Sequence, residues 1–258
     1  MSPKVSVIVT TYNRCELLSE TIQSIINQTF TDFELIVVDN NSNYDFVGLM
    51  QSFCDSRIKF FQNPNDGIIA RNRNFGIKRA VGEYIALCDD DDIWEQTKLR
   101  EQVEIIDKYP DVALCCTNTY FINMKNLPFL NRFTSFVKNI FLSSNLLSAK
   151  YLLISLHYVI NSSVLFKREL INSCGFINED PLLRSIEDYE FWFRISQNNR
   201  IYYLNKKLLW YRLHPEQLST VDNQKVYKRT LKVVSDNWRD LNLLQKIIYS
   251  IQKRIYSI

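Results

Sequence analysis

Residues 82–94 have the sequence GEYIALCDDDDIW, which joins an apolar run to four consecutive aspartates. The apolar run, Tyr84 to Cys88, is short and continuous, and it predicts a buried strand. Asp89 to Asp92 follow at its end, where neighbouring carboxylates repel one another and lose hydration free energy if they are partly buried. A cation between them would offset both effects. The stretch therefore predicts a strand that carries acidic ligands to a cation site.

The sequence on both sides of this stretch alternates between strand and helix patterns. Four further runs rich in β-branched and aromatic residues predict strands, at residues 5–12, 33–42, 57–62 and 111–118. Segments with apolar residues three and four positions apart separate them and predict amphipathic helices. This alternation is typical of βαβ units, so we predict an α/β fold with a mostly parallel central sheet and helices on both faces.

Polar residues gather where three of the predicted strands end. They are Thr10 to Tyr12, Asp39 to Asn41, and Asp89 to Asp92. In parallel sheets, ligands bind beyond the carboxyl ends of the strands. We therefore expect the three clusters to face one crevice.

The second half of the chain has weaker patterns. Residues 121–153 are apolar and aromatic without a clear period. The segment SIEDYEFWFRISQN predicts an amphipathic helix, with Ser185 and Asp188 arranged as a cap. Two short strands, RIYYL and LLWYRL, are expected to follow it. Residues 224–258 carry apolar side chains at helical spacing and predict a helical tail.

The net charge of +3 is unevenly distributed along the chain. Residues 224–258 contain eight Lys or Arg and two Asp, a local charge of +6, which leaves −3 for the remainder. A basic amphipathic helix is typical of contact with an anionic surface, such as lipid headgroups on the inner face of the cell membrane. The alternative is an ordinary solvated helix whose apolar side packs on the body of the protein or forms a homodimer.

Targeting signals are not evident in the sequence. The six cysteines form no CxxC pair, the first residues lack a signal-peptide pattern, and no run of 18 apolar residues occurs. We predict a cytoplasmic protein, with peripheral attachment to the inner face of the membrane as a hypothesis. Nucleic acid is not an expected partner, because the basic tail lacks a recognisable binding motif.

Several enzyme classes lack their motifs here. No GxGxxG follows the first strand and no GK[ST] loop occurs, which argues against a dehydrogenase and an ATPase. Only two histidines and no nucleophile elbow are present, so the chemistry must depend on carboxylates. Asp89 and Asp91 suit Mg²⁺ or Mn²⁺, which bind one or two carboxylates together with substrate phosphates. Acids that favour the dipole of a following helix are the alternative.

Five segments occur in a characteristic order: VSVIVTTYNR, QTFTDFELIVVDNNS, GIIARNRNFGI, GEYIALCDDDDIW and EDYEFWFRI. Over residues 4–213 the chain thereby resembles the inverting glycosyltransferases of family 2, which have a GT-A fold. The resemblance implies one GT-A domain at residues 1–215, with a Rossmann-like nucleotide-sugar-binding half at about 1–95 and an acceptor-binding half at about 96–215. Residues 216–258 would form a basic amphipathic helical extension.

The resemblance also implies roles for the acidic residues. Asp89 to Asp91 would form the DXD motif, with Asp91 the favoured ligand of Mn²⁺ or Mg²⁺ and Asp92 able to replace it. Asp188 would be the catalytic base, and Glu187 would position the substrate or a loop. Without the resemblance, acids in the first turn of a helix are more typical of capping than of catalysis.

Nucleotide contacts follow from the same resemblance. They are implied for Thr10, Tyr12, Asp39, Asn40, Arg71, Asp89 and Asp90, and His214 would lie near the diphosphate unless it is structural. Many members of the family have two aspartates where this chain has Asp39 and Asn40. Because an amide both donates and accepts hydrogen bonds, the choice among uracil, thymine and other bases stays open.

The implied reaction is transfer of a sugar from a nucleoside diphosphate donor, with a UDP-sugar favoured, to an acceptor hydroxyl. A carbohydrate or lipid-linked saccharide acceptor, in the assembly of bacterial lipopolysaccharide, O-antigen or capsule, agrees with a basic tail. Two alternatives remain at this stage: a nucleotidyltransferase, and a non-catalytic protein that binds sugar nucleotides or polysaccharide.

Overall fold

The computed structural model describes residues 2–122, 159–213 and 223–236, together with Lys246 and Ser250. The first half contains β1 (Val5–Thr11), α1 (Cys15–Ile26), β2 (Phe33–Asp39), α2 (Phe46–Ser52), β3 (Ile58–Gln62), α3 (Ile69–Ile77) and β4 (Tyr84–Asp89). The second contains β5 (Ile93–Trp94), α4 (Lys98–Lys108), β6 (Val112–Ile122), β7 (Val164–Lys167), α5 (Leu170–Cys174), α6 (Glu187–Asn198), β8 (Arg200–Arg212) and α7 (Asn223–Asp236). Short 3₁₀ turns lie at Asn161–Ser163 and Pro181–Leu183.

These strands form one sheet in the order β3-β2-β1-β4-β7-β6-β8-β5. The first four are mutually parallel, and β6 and β8 are also parallel. Antiparallel β7 joins β4 to β6, and β5 pairs antiparallel with β8. Every residue of β1 and β2 is buried, as expected for parallel strands covered on both faces. The predicted α/β fold with a mostly parallel sheet is confirmed.

Helices cover both faces of the sheet, and the alternation of side chains along β1 shows how. Ile8 packs into the core beneath α3 and α6. Val7 and Val9 point the opposite way, into the core beneath α1, α2 and α4. Because successive residues of a strand face opposite sides, the apolar run of β1 supplies both cores at once. The same alternation fixes the directions of the polar residues that follow each strand.

The predicted pair of strands RIYYL and LLWYRL is wrong, because β8 is a single strand of 13 residues. The polar residues Asn205, Lys206 and Lys207 suggested a turn, and all three are exposed. In the structure they fall where the pairing of β8 with β6 shifts register after Thr117. An irregular pairing thus accommodates the polar residues without ending the strand.

The predicted helical tail lies only partly within the described residues. Helix α7 covers its first part, and the side chains of Val233 and Val234 are buried in the same core as Trp192 of α6. The Arg229 side chain also donates a hydrogen bond to the carbonyl of Arg184 at 2.8 Å. This portion of the tail therefore packs on the body of the protein. Among the helices of residues 2–122, 159–213 and 223–236, none is long and apolar enough to cross a membrane.

Candidate functional site

A crevice lies at the carboxyl ends of β1, β2 and β4, where the sequence predicted a meeting of polar clusters. Thr11 pairs with Asp39 across β1 and β2, and Thr10 pairs with Asp89 across β1 and β4. The chain runs from β1 outward to β3 and then returns to the other side of β1 as β4. Such a change of direction opens the space in which α/β sheets bind ligands.

The first aspartate of the cluster turns toward helices α3 and α6. Asp89 Oδ1 accepts hydrogen bonds from the Arg73 guanidinium and from the Asn161 amide, each at 2.9 Å. A second nitrogen of Arg73 lies 2.6 Å from Glu187 Oε1. Arg73 and Glu187 are both buried, so this ion-pair network joins the tip of β4 to the start of α6. Burial opposes the charged guanidinium, but Asp89 and Glu187 outweigh it and raise the Arg73 pKa.

The next two aspartates turn toward the loop that follows β1. Arg14 Nη1 lies 2.8 Å from Asp90 Oδ1 and 2.9 Å from Asp91 Oδ2. The Thr11 hydroxyl also donates to Asp90, at 2.8 Å. Burial raises the pKa of Asp90 to about 6, although the Arg14 charge acts in the opposite direction. A protein cation therefore already lies between these two carboxylates.

The fourth aspartate faces inward. Asp92 is completely buried, its Oδ1 accepts the backbone N–H of Arg212 at 3.2 Å, and its carbonyl accepts the Thr21 hydroxyl at 2.8 Å. Burial, with the nearby charges of Asp91 and Asp89, raises the Asp92 pKa well above its usual value and favours the neutral acid. Arg212 also donates through Nε to the carbonyl of Asp91 at 3.1 Å. The end of β8 thus fixes the backbone of the acidic segment.

Asp188 stands beside the Arg73 network at the first turn of α6. Burial and the neighbouring Glu187 charge raise its pKa to about 7, against the opposing effect of Arg73. The predicted cap formed by Ser185 and Asp188 is wrong. Ser185 has a left-handed backbone (φ 72), the residue before the helix is Ile186, and no side chain caps the helix. Asp188 Oδ1 instead accepts the adjacent N–H of Tyr189 at 2.7 Å.

The residues expected to border a base lie at the ends of β1 and β2. Tyr12 is 53% exposed, and its ring is therefore accessible for stacking, whereas Thr10 is buried. Asp39 is fully buried and accepts hydrogen bonds from Ser42 and Gln62. Asn40 donates its N–H to the carbonyl of Thr11 at 3.0 Å, and its side-chain oxygen accepts from the backbone of residue 65. The structure brings all four to one edge of the sheet.

The sequence predicted a nucleotide contact for Arg71, whereas the buried arginine of α3 is Arg73. The Arg71 side chain is 39% exposed and pairs with the exposed Asp66 at 2.5 Å. Arg73, which the sequence reasoning did not select, reaches the acidic groups. Its spacing from the buried residues Ala70 and Ile77 is i, i+3, i+7, so helical periodicity already placed it on the inner face.

Arg14 was also not selected from the sequence. The available signal was its position, three residues beyond β1 and at the same sheet edge as the aspartates. His214 lies outside the described residues. Within the part of the chain that is described, no three His, Cys, Asp or Glu side chains converge as a ready metal site.

Comparisons with known proteins agree with this architecture. Residues 6–175 match the model of glycosyl transferase family 2. An Escherichia coli protein named UDP-Glc:alpha-D-GlcNAc-diphosphoundecaprenol beta-1,3-glucosyltransferase is 30% identical over 258 residues, 98% of this chain and 95% of that protein. S. aureus TarS 1-349 in complex with UDP is 23% identical with a TM-score of 0.72, covering 99% of this chain and 72% of that one.

A third similar structure is the mannosyltransferase PcManGT from Pyrobaculum calidifontis in complex with GDP-Man and Mn²⁺. It is 17% identical with a TM-score of 0.72, over 98% of this chain and 70% of that one. Fold and crevice together define an α/β protein of the GT-A class. The chain belongs to glycosyl transferase family 2.

Arg73 provides a direct test of the buried network. Replacing Arg73 by Met should lower the free energy of unfolding by about 3–5 kcal/mol, because Asp89 and Glu187 would lose their shared cation while staying buried. Urea unfolding measures the change. Arg71→Met is the matched control, since Arg71 pairs with an exposed partner and should cost about 1 kcal/mol or less. Equal losses in the two variants would contradict the network.

Proposed function

We propose that this protein transfers one sugar from a nucleoside diphosphate donor to an acceptor hydroxyl, with inversion at the anomeric carbon. The observation that carries the proposal is the Arg73 network, which joins Asp89 at the tip of β4 to Glu187 at the start of α6, next to Asp188. An inverting transfer needs two kinds of group close together. One neutralises the charge of the leaving diphosphate, and the other is a base that takes the acceptor proton.

Asp188 is proposed as the catalytic base. A base works best when its pKa lies near the working pH, and burial raises the Asp188 pKa to about 7. The acceptor oxygen forms its bond to the anomeric carbon while its proton passes to the Asp188 carboxylate. The bond from that carbon to the diphosphate oxygen breaks, and the diphosphate leaves with the electron pair. Glu187 keeps Arg73 in place and does not share the proton in this scheme.

The donor is proposed to lie across the ends of β1, β2 and β4. The exposed Tyr12 ring suits stacking on the base, and Asn40 offers an amide for hydrogen bonds to it. Asp39 accepts hydrogen bonds from Ser42 and Gln62. It would stabilise the loop that follows β2 as well as contact the ribose. A UDP-sugar is the favoured donor, which the UDP-Glc in the name of the E. coli relative supports.

Mn²⁺ or Mg²⁺ is proposed as cofactor. The ligand atoms suit these metals. Asp90 and Asp91 present neighbouring carboxylate oxygens that already hold the Arg14 guanidinium, and Mn²⁺ or Mg²⁺ needs only one or two carboxylates in addition to phosphates. Asp91 is the proposed ligand. Asp92 is the weaker candidate, because its side chain is completely buried. A bound metal would supply Lewis-acid stabilisation of the leaving diphosphate.

The acceptor and setting are proposed from the charge of the tail and from the relatives. A lipid-linked saccharide in surface polysaccharide assembly agrees with the diphosphoundecaprenol in the name of the E. coli relative. Residues 224–258 would then contact an anionic membrane surface, whereas a homodimer contact is the alternative use of their apolar side. A nucleotidyltransferase or a non-catalytic binding protein would each lack turnover with a sugar nucleotide and an acceptor.

Replacing Asp188 by Asn should reduce turnover by about 10²–10⁴-fold, because general base catalysis is lost, while nucleotide affinity stays unchanged. Glu190→Gln is the matched control, since Glu190 lies in the same helical turn but pairs with Arg194. In the unmodified protein, kcat/KM should rise with pH and level off above about 7, because only the deprotonated base accepts a proton. Full turnover by Asp188→Asn would contradict the assignment.

The donor and metal are tested by calorimetric titration with UDP, dTDP and GDP, each with and without Mn²⁺. We expect one nucleotide to bind in a metal-dependent way, and Asp91→Asn to abolish the effect of the metal. Asp111→Asn serves as the control, because Asp111 is exposed and pairs with Arg200 at the starts of β6 and β8, away from the proposed ligands. If none of the three nucleotides binds, donor recognition at this crevice is refuted.

The membrane proposal is tested by sedimentation with anionic and neutral vesicles. A chain ending at residue 236 keeps α7 and its buried valines but loses residues 237–258, which contain four of the eight basic residues of the tail. It should bind anionic vesicles more weakly than the full chain, and added salt should remove the difference. Unchanged vesicle binding would show that this segment makes no membrane contact.

A further inference from the structure

We propose that Arg14 is a resident cation of the aspartate cluster, which a divalent metal must displace from Asp91 when it binds. The inference rests on the metal site of the proposed function. Its evidence is geometric: a single nitrogen, Arg14 Nη1, lies within 2.9 Å of carboxylate oxygens from two consecutive residues, Asp90 and Asp91. A positive group between neighbouring carboxylates is the arrangement that a metal ion would otherwise provide.

The four aspartates are neutralised in different ways, and this separates Arg14 from the other cations. Asp89 is paired with Arg73, whose side chain is only 6% exposed and is enclosed by its two acidic partners. The Arg14 side chain is 26% exposed, although the carboxylates of Asp90 and Asp91 that it contacts are buried. Displacing Arg73 would leave Asp89 and Glu187 without a cation, whereas a metal at Asp91 would itself supply the positive charge that Arg14 gives up as its side chain turns toward solvent.

The backbone around Arg14 is held independently of its side chain. Asn13 has a left-handed conformation (φ 54), its N–H donates to the Ser42 hydroxyl, and its side-chain oxygen accepts the N–H of Asn43, each at 2.8 Å. Arg14 itself precedes the first residue of α1 and makes no capping hydrogen bond with its side chain. The long side chain can therefore change position while the loop and α1 stay in place.

This arrangement predicts that metal and nucleotide bind cooperatively. A metal that takes Asp91 Oδ2 must replace the guanidinium on that atom, so metal alone should bind weakly. When a diphosphate is present, the displaced guanidinium gains phosphate oxygens as new partners, which a planar five-donor cation binds well. Arg14 thus couples the two ligands, and removing its charge should strengthen metal binding alone and weaken the coupling.

The experiment is calorimetric titration of Mn²⁺ into the full chain without nucleotide, and then with UDP. Relative to the unmodified protein, Arg14→Gln should bind Mn²⁺ alone about 5-fold or more tightly, and UDP should improve its Mn²⁺ affinity less. Arg14→Lys keeps the charge and should bind Mn²⁺ alone with an affinity close to that of the unmodified protein. Arg100→Gln removes an equal charge from an exposed position on α4 and should change nothing.

Unchanged or weaker Mn²⁺ binding by Arg14→Gln overturns the proposal, as does Mn²⁺ binding by none of the variants. The rise in melting temperature at a fixed Mn²⁺ concentration is a second readout, because it applies even if Arg14→Gln is less stable. That rise should be larger for Arg14→Gln than for the unmodified protein. The first titration uses neither sugar nor acceptor, so its result is independent of whether the chain transfers sugar.

Discussion

The buried guanidinium of Arg73 is the interaction on which the rest of the crevice depends. It lies between Asp89 at the end of a strand and Glu187 at the start of a helix, two acids that would otherwise repel each other in a poorly hydrated space. A planar side chain with five donors can satisfy both at once. Because Arg73 also belongs to α3, its position fixes the distance between the tip of β4 and the helix that carries Asp188.

The side chains of the four aspartates point in different directions, as the alternation of side chains along a strand predicts for residues at and just beyond its end. Asp89 turns to the side of α3 and α6, whereas Asp90 turns back toward Arg14 and Thr11. Asp92 points inward and is favoured as a neutral acid. Four adjacent carboxylates are therefore tolerated because they do not share one environment. Two arginines of the chain lie against three of these carboxylates, and the divalent cation expected from the sequence stays a prediction.

The sequence was informative where one physical rule dominates. Burial on both faces makes β1 and β4 continuous apolar runs, and parallel strands bring Asp39 and Asp89 to one edge, so both features were predictable. The choice between Arg71 and Arg73 depends on helix phase, which decides which of two cations two residues apart faces inward. The bridge from Arg14 to Asp90 and Asp91 depends on rotamers over a separation of 76 residues or more, and no local pattern reports it. The continuity of β8 was missed because exposed polar residues are equally typical of a turn.

The contacts that complete the crevice also determine when it can form during synthesis. Arg73 and Glu187 are 114 positions apart, and Asp92 and Arg212 are 120 apart. Contacts of such sequence separation are reached late, because the intervening chain must first be ordered. On the ribosome, the parallel half of the sheet emerges and can begin to fold while β8 and α6 are still unmade. Arg14 and Arg73 precede the aspartates in the chain, so their charges are available at once, whereas Asp89 lacks the Asn161 amide and Asp92 lacks the backbone N–H of Arg212 until those residues have been translated.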